Sequence, residues 1–123
     1  MAKINELPSM RSPECTFDQF AALDLRVAKV LEVESFPAAR KPAYILHLDC
    51  GAEWGVLKTS AQITERYAPE DLIGKLIVAI VNFPDKQIGP VQSQCLVLGG
   101  LDENNGVTLL IPDHDCSAGT RIA

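Results

Sequence analysis

Two groups of residues in this chain have the types that do chemistry: Asp113-His114-Asp115, and His47 and Asp49 with Ser60 further on. The first has the look of a metal site. The second has the ingredients of an activated serine, which needs a base and an orienting acid in hydrogen-bond reach and oxyanion donors opposite. Neither pattern carries that chemistry through. Neighbours in a strand point to opposite faces, and after Pro112 the Asp-His-Asp triplet reads as a turn. His47 and Asp49 share a strand face, but nothing in the spacing brings Ser60 to them, so His47 reads as a solvated or interfacial histidine. There is no phosphate loop, dinucleotide fingerprint or helical HExxH. The cysteines Cys15, Cys50, Cys95 and Cys116 form no CxxC pair, which gives no zinc signal and fits reduced, mostly buried thiols in a cytosol. The expectation is a protein that binds rather than catalyses, with no metal and no cofactor.

Polar side chains cluster more tellingly. LKTSAQIT sets Lys58, Thr59, Ser60, Gln62 and Thr64 where a strand ends and the chain turns. The plain reading is a capped strand end with Ser60 satisfying nearby backbone groups. The functional reading joins them to Asn82, Lys86, Gln87, Gln92 and Ser93 as one polar binding face. FPDKQIGPVQSQ, residues 83–94, reads as a polar loop between two apolar runs, bent at Gly89-Pro90. A loop held between rigid strands is a favoured binding surface. Trp54, in an expected turn, either covers the core or offers a contact surface. Phe36 and Phe83 each precede a proline at a strand edge, as core lids or as walls of an apolar groove.

The elements that must position these groups follow from periodicity. TFDQFAALD predicts a short helix capped by Thr16, with Gln19 completing a capping box. So short a helix is marginal alone and must dock on its own sheet or on a partner chain. LRVAKVLEVES predicts a strand with Leu25, Val27, Leu31 and Val33 on one face. In AYILHLDC, Tyr44, Leu46, Leu48 and Cys50 face one way and Ile45, His47 and Asp49 the other. A third strand spans Val56–Thr59. APEDLIG predicts a helical turn begun by Pro69 and stopped by Gly74. The strands KLIVAIVNF, CLVLGG and VTLLIP and a closing segment near Thr120–Ile122 complete the order. The result is one all-β domain with short helices, and the five-stranded oligonucleotide/oligosaccharide-binding barrel (OB-fold) fits it. Residues 1–16 form an arm and 17–123 the domain.

With 123 residues and 47% apolar content the chain supports a real core. No run approaches the roughly 18 apolar residues of a membrane helix, and MAKINELPSMRSPE lacks the apolar segment of a secretory signal, so a cytoplasmic protein is expected. Net charge is −5, which argues against attachment to nucleic acid by bulk positive charge. Residues 93–123 carry one base against four acids, whereas residues 24–92 carry eight bases and nine acids. Any basic face therefore belongs to the central part.

LDLRVAKVLEVESFPAARKPAYILHLDCG, KTSAQITERYAPEDLIGKLIVAIVNFP and SQCLVLGG resemble the free-standing tRNA-binding-domain family, over roughly Phe17 to Ile122. Within it, FPAARKPAY and SAQIT resemble the export-related chaperone branch, the CsaA type. The resemblance implies an OB barrel that forms a homodimer through its terminal segments, binds tRNA by its structure, and holds unfolded or pre-export polypeptides. It implies structural roles for Asp24, Pro37 and Gly51, and RNA contacts from Lys58, Ser60, Gln62, Asn82, Lys86 and Ser93. Phe36, Pro37, Tyr44, Trp54 and Phe83 are the expected polypeptide lining. One stretch departs from the family. Where it has a basic loop, this chain has PDKQIGPVQS, with Lys86 as its single base and Asp85 as an acid. Each lost phosphate contact lowers affinity and salt slope, so weaker RNA binding is expected, or polypeptide binding alone.

Overall fold

A computed structural model describes residues 11–36 and 40–123. Helix α1 (Phe17–Ala21) begins at the expected capping box: the Gln19 N–H donates to Thr16 Oγ1 at 3.2 Å, and the Thr16 N–H donates to Gln19 Oε1 at 2.7 Å. Strands β1 (Leu25–Ser35), β2 (Tyr44–Asp49) and β3 (Val56–Ala61) follow, then helix α2 (Pro69–Leu72) and β4 (Leu76–Ile80). The chain continues through β5 (Lys86–Ile88), β6 (Val91–Ser93), β7 (Leu96–Val97), β8 (Gly99–Asp102) and β9 (Gly106–Leu109). The main sheet is antiparallel in the order β3-β2-β1-β4-β7. Its outer edges approach each other: the Gln94 N–H donates to the Lys58 carbonyl at 2.8 Å, and Thr59 Oγ1 donates to the Cys95 carbonyl at 2.7 Å. This is a nearly closed five-stranded antiparallel barrel, the OB architecture.

Inside lie Ala28, Val30, Leu46, Leu48, Ile63, Leu72, Ile77 and Val97. Strand β2 alternates as its sequence dictates. Strand β1 does not keep one face. Ala28 and Val30 point into the barrel, whereas Leu25 belongs to a second cluster outside it with Val78 and Ile80. A bulge between Val30 and Glu32 shifts the register, and an extra residue reverses which parity faces inward. Val33 therefore packs on the barrel core while Leu31 is exposed. The expected shared face of Leu25, Val27, Leu31 and Val33 is thus divided in two.

The C-terminal segment closes the barrel's lower edge. Where β1 has not yet met β2, the Val27 N–H donates to the Thr120 carbonyl at 2.8 Å and the Ile122 N–H to the Leu25 carbonyl at 2.9 Å. Gly51 (φ 93°) and Gly119 (φ 91°) pass so closely that a Cβ on either would lie 2.6 Å from the other's Cα. No side chain fits between them.

Candidate nucleic-acid interface

The stretch expected as a polar loop is a β-hairpin. Lys86 pairs with Ser93, Gln87 with Gln92 and Ile88 with Val91. Gly89 has φ 57° and Pro90 cannot take positive φ, which leaves the type II′ turn that matches strand twist. The hairpin is held at its tip and its base. At the tip, Val91 and Ile88 pack with Phe36 and Ala43 of the β1–β2 loop and Ile45 of β2. At the base, Ser93 Oγ accepts the Ser60 N–H at 3.2 Å and lies 3.0 Å from Thr59 Oγ1.

This arrangement brings the β1–β2 loop and the hairpin to either side of the outward face of β2 and β3, where OB barrels receive extended ligands. Register builds two rows across that face. One runs Lys86, Ser93, Ser60, Ile45, Glu34, and the other Gln94, Lys58, His47, Glu32. Lys58, Gln62 and Lys86 are exposed, as are Arg40 and Lys41 in the flanking loop. Charge runs from basic at the hairpin to acidic at β1. His47 bonds Glu34 through Nε2 and lies 4.0 Å from Glu32, so imidazole and carboxylates satisfy each other and Ser60 gains no base. Among the described residues no group of side chains is arranged to hold a metal ion.

Of the remaining expected contacts, Asn82 is exposed and the two serines are not. Ser60 and Ser93 are buried at 9% and 8% exposure, and the Ser93 hydroxyl is occupied at the seam. Asn82 Oδ1 accepts the Asp24 N–H at 2.8 Å and its Nδ2 donates to the Ala22 carbonyl at 2.8 Å, which fixes the α1–β1 corner to the end of β4. Arg26 is spent: Nε and Nη2 donate to Asp24 at 2.6 and 3.2 Å, and Nη1 to the Gly119 carbonyl at 3.1 Å. The Arg26 guanidinium, with Trp54 Nε1 donating at 3.2 Å, holds the Asp24 carboxyl below the usual carboxylate range. Arg66 donates to Thr108, on the far hairpin. Lys58 and Lys86 thus stand on the face, and Arg40 and Lys41 are carried by the loop that flanks it. Nothing local in the sequence assigns Arg40 and Lys41 to this side of the barrel, because the Phe36–Val91 packing is what brings their loop to the hairpin.

The expected polypeptide lining divides. Trp54 and Phe83 share a groove of about 400 Å³ with Leu57, Pro84, Asp85 and Gln94. Phe36 is buried at 5% exposure, Tyr44 Oη donates to the Tyr67 carbonyl at 2.8 Å, and Pro37 lies outside the described residues.

Residues 25–121 match the family model of the tRNA binding domain. The chain belongs to that family. Crystal structures of two CsaA chaperones superpose with a TM-score of 0.85 each. The one from Bacillus anthracis is 48% identical and covers 90% of this chain and 100% of its own. The one from Picrophilus torridus is 44% identical and covers 89% of this chain and 100% of its own. The methionine–tRNA ligase of Thermococcus kodakarensis is 39% identical over 107 residues. Those residues are 87% of this chain and 14% of the ligase, so the chain spans a small part of that relative. What these likenesses share is the tRNA-binding domain, which spans the whole of the two CsaA chains and a small part of the ligase.

Proposed function

We propose that this protein is a non-catalytic, dimeric module of the cytoplasm that binds tRNA by its structure, through the β2–β3 face between the β1–β2 loop and the β5–β6 hairpin. The observation that carries the reading is a β2–β3 face with exposed Lys58 and Lys86, flanked by a loop that carries exposed Arg40 and Lys41, in a chain whose net charge is −5. Lysines and arginines there meet phosphates. Gln62, exposed just past β3, meets sugar hydroxyls and base edges, the mode by which RNA is commonly read. Ser60, Ser93 and Asn82 take part by holding the strands that carry these groups.

Bulk tRNA titrated at low and moderate salt, followed by fluorescence anisotropy, tests this. Saturable binding that weakens as salt rises is expected, and Lys58→Glu or Lys86→Glu should weaken it at least severalfold, each removing about one phosphate contact. No complex at low salt would overturn the reading.

The likeness to two CsaA chaperones favours a second reading, the holding of unfolded or pre-export polypeptide. The Trp54–Phe83 groove is the part of the expected lining that stays together. Suppression of aggregation of a chemically denatured client is its assay, and no effect at stoichiometric excess removes it.

A further inference from the structure

We propose that the groove between Trp54 and Phe83 is a pocket for one unpaired nucleotide, and that Asp85 selects bases with an amino group on the pairing edge over uracil. The inference rests on the RNA reading and names what part of the RNA this chain reads.

Phe83 keeps 43% of its surface exposed at the rim of the groove. An open aromatic face is a platform on which any base stacks. Trp54 gives its indole N–H to Asp24 at 3.2 Å, so what it offers the groove is apolar carbon. Leu57, Val81 and Pro84 complete the apolar lining, and Asn82 joins Asp85 and Gln94 as its polar residues. At about 400 Å³ the space is at the small end of ligand pockets. That suits a base with its sugar better than a run of extended polypeptide.

The groove is continuous with the basic face. Gln94 lines it and is bonded both ways to Lys58: its Oε1 accepts the Lys58 N–H at 2.9 Å, and its own N–H donates to the Lys58 carbonyl at 2.8 Å. On the other side Asp85 is followed directly by Lys86. The strands and hairpin that carry Lys58 and Lys86 therefore border the groove. Glu32 and Glu34 lie at the opposite end of the face and turn the backbone toward the hairpin.

Asp85 is the acid that departs from the expected basic loop, and the groove gives it a task. A carboxylate repels phosphate but accepts hydrogen bonds from amino groups such as cytosine N4. Uracil presents a carbonyl oxygen at the position of that amino group, so a carboxylate set against cytosine N4 faces an acceptor there and must shift to reach the uracil N3–H. Stacking supplies affinity and Asp85 supplies the preference against uracil.

The chain has a single tryptophan, so Trp54 emission reports occupancy of the groove. Hexacytidylate and hexauridylate are titrated at low salt against wild type, Phe83→Leu and Asp85→Asn. Hexacytidylate should change the emission saturably and bind about tenfold more tightly than hexauridylate. Phe83→Leu, which keeps apolar bulk, should weaken both about tenfold, and Asp85→Asn should bring the two ligands level. Wild-type affinity in Phe83→Leu, or an undiminished preference in Asp85→Asn, overturns the proposal. So does a Trp54 response to a reduced, carboxymethylated protein but not to hexacytidylate, which makes polypeptide the occupant. A tRNA complex seen by anisotropy with Trp54 silent removes the pocket and leaves the RNA reading standing. Absence of that complex removes both.

Discussion

At the scale of single residues, the Asp24–Arg26 pair shows why counting bases misleads. Arg26 is a cation in sequence and a fastener in structure, joining Asp24, just before its own strand, to the Gly119 carbonyl at 3.1 Å. No local pattern announces a partner so far along the chain. The pair also predicts a pH response. Asp24 ionises more readily in the folded protein than an ordinary carboxyl, chiefly because Arg26 donates to it. A carboxyl whose folded pKa is depressed adds stability above its unfolded value, about 3.9, and loses it as pH falls through the folded value. The thermal midpoint should therefore fall below about pH 4. Asp24→Asn should start lower at neutral pH and show a shallower acid decline, with Trp54 emission altered at neutral pH because the indole N–H loses its charged acceptor. Parallel melting-temperature curves from pH 7 to pH 2.5 would sink this account.

At the scale of elements, the β3–β6 seam decides whether the barrel closes and where Lys86 stands. Ser93 accepts the Ser60 N–H and shares a bond with Thr59, all three being buried. Ser93→Ala leaves that N–H without a partner, which costs about 1–3 kcal/mol, measurable by urea denaturation. The same change should weaken tRNA binding without altering its salt slope, since no phosphate contact is removed. A changed slope would mean that Ser93 touches RNA itself. The seam also marks the limit of what the sequence discloses. The capping box at Thr16, the alternation from Tyr44 to Asp49 and the Pro69–Gly74 turn are local signals, and each element forms where it is signalled. The bulge in β1 and the hairpin at 86–93 are set by pairing with distant strands, so a polar stretch with Gly and Pro reads as a loop until Phe36 and Ser60 hold it. The candidate face was legible in Lys58, Gln62 and Lys86, which are exposed. It was not legible that Asn82 and Ser93 spend their polar atoms on the fold.

At the scale of the whole molecule, a chain of net charge −5 gathers few phosphates on one face, and two copies gather twice as many. Phe17 and Phe20, 68% and 40% exposed, stand on a five-residue helix with no buried residue, and Leu110 and Ile111 past β9 are exposed as well. A helix that short gains most of its stability from packing. A second copy covering it satisfies that need and brings two basic faces into one particle. Sedimentation equilibrium should give a dimer, and Phe17→Ser with Phe20→Ser a monomer that keeps its barrel. The salt dependence of tRNA binding supplies an independent check. Lys86→Met removes one lysine per protomer, so the slope of log K against log salt should fall by about two units in the dimer if both faces engage one tRNA, and by about one in the Phe17/Phe20 variant. A loss of about one unit in both would mean that each protomer binds RNA alone, and that dimerisation serves the helix rather than the ligand.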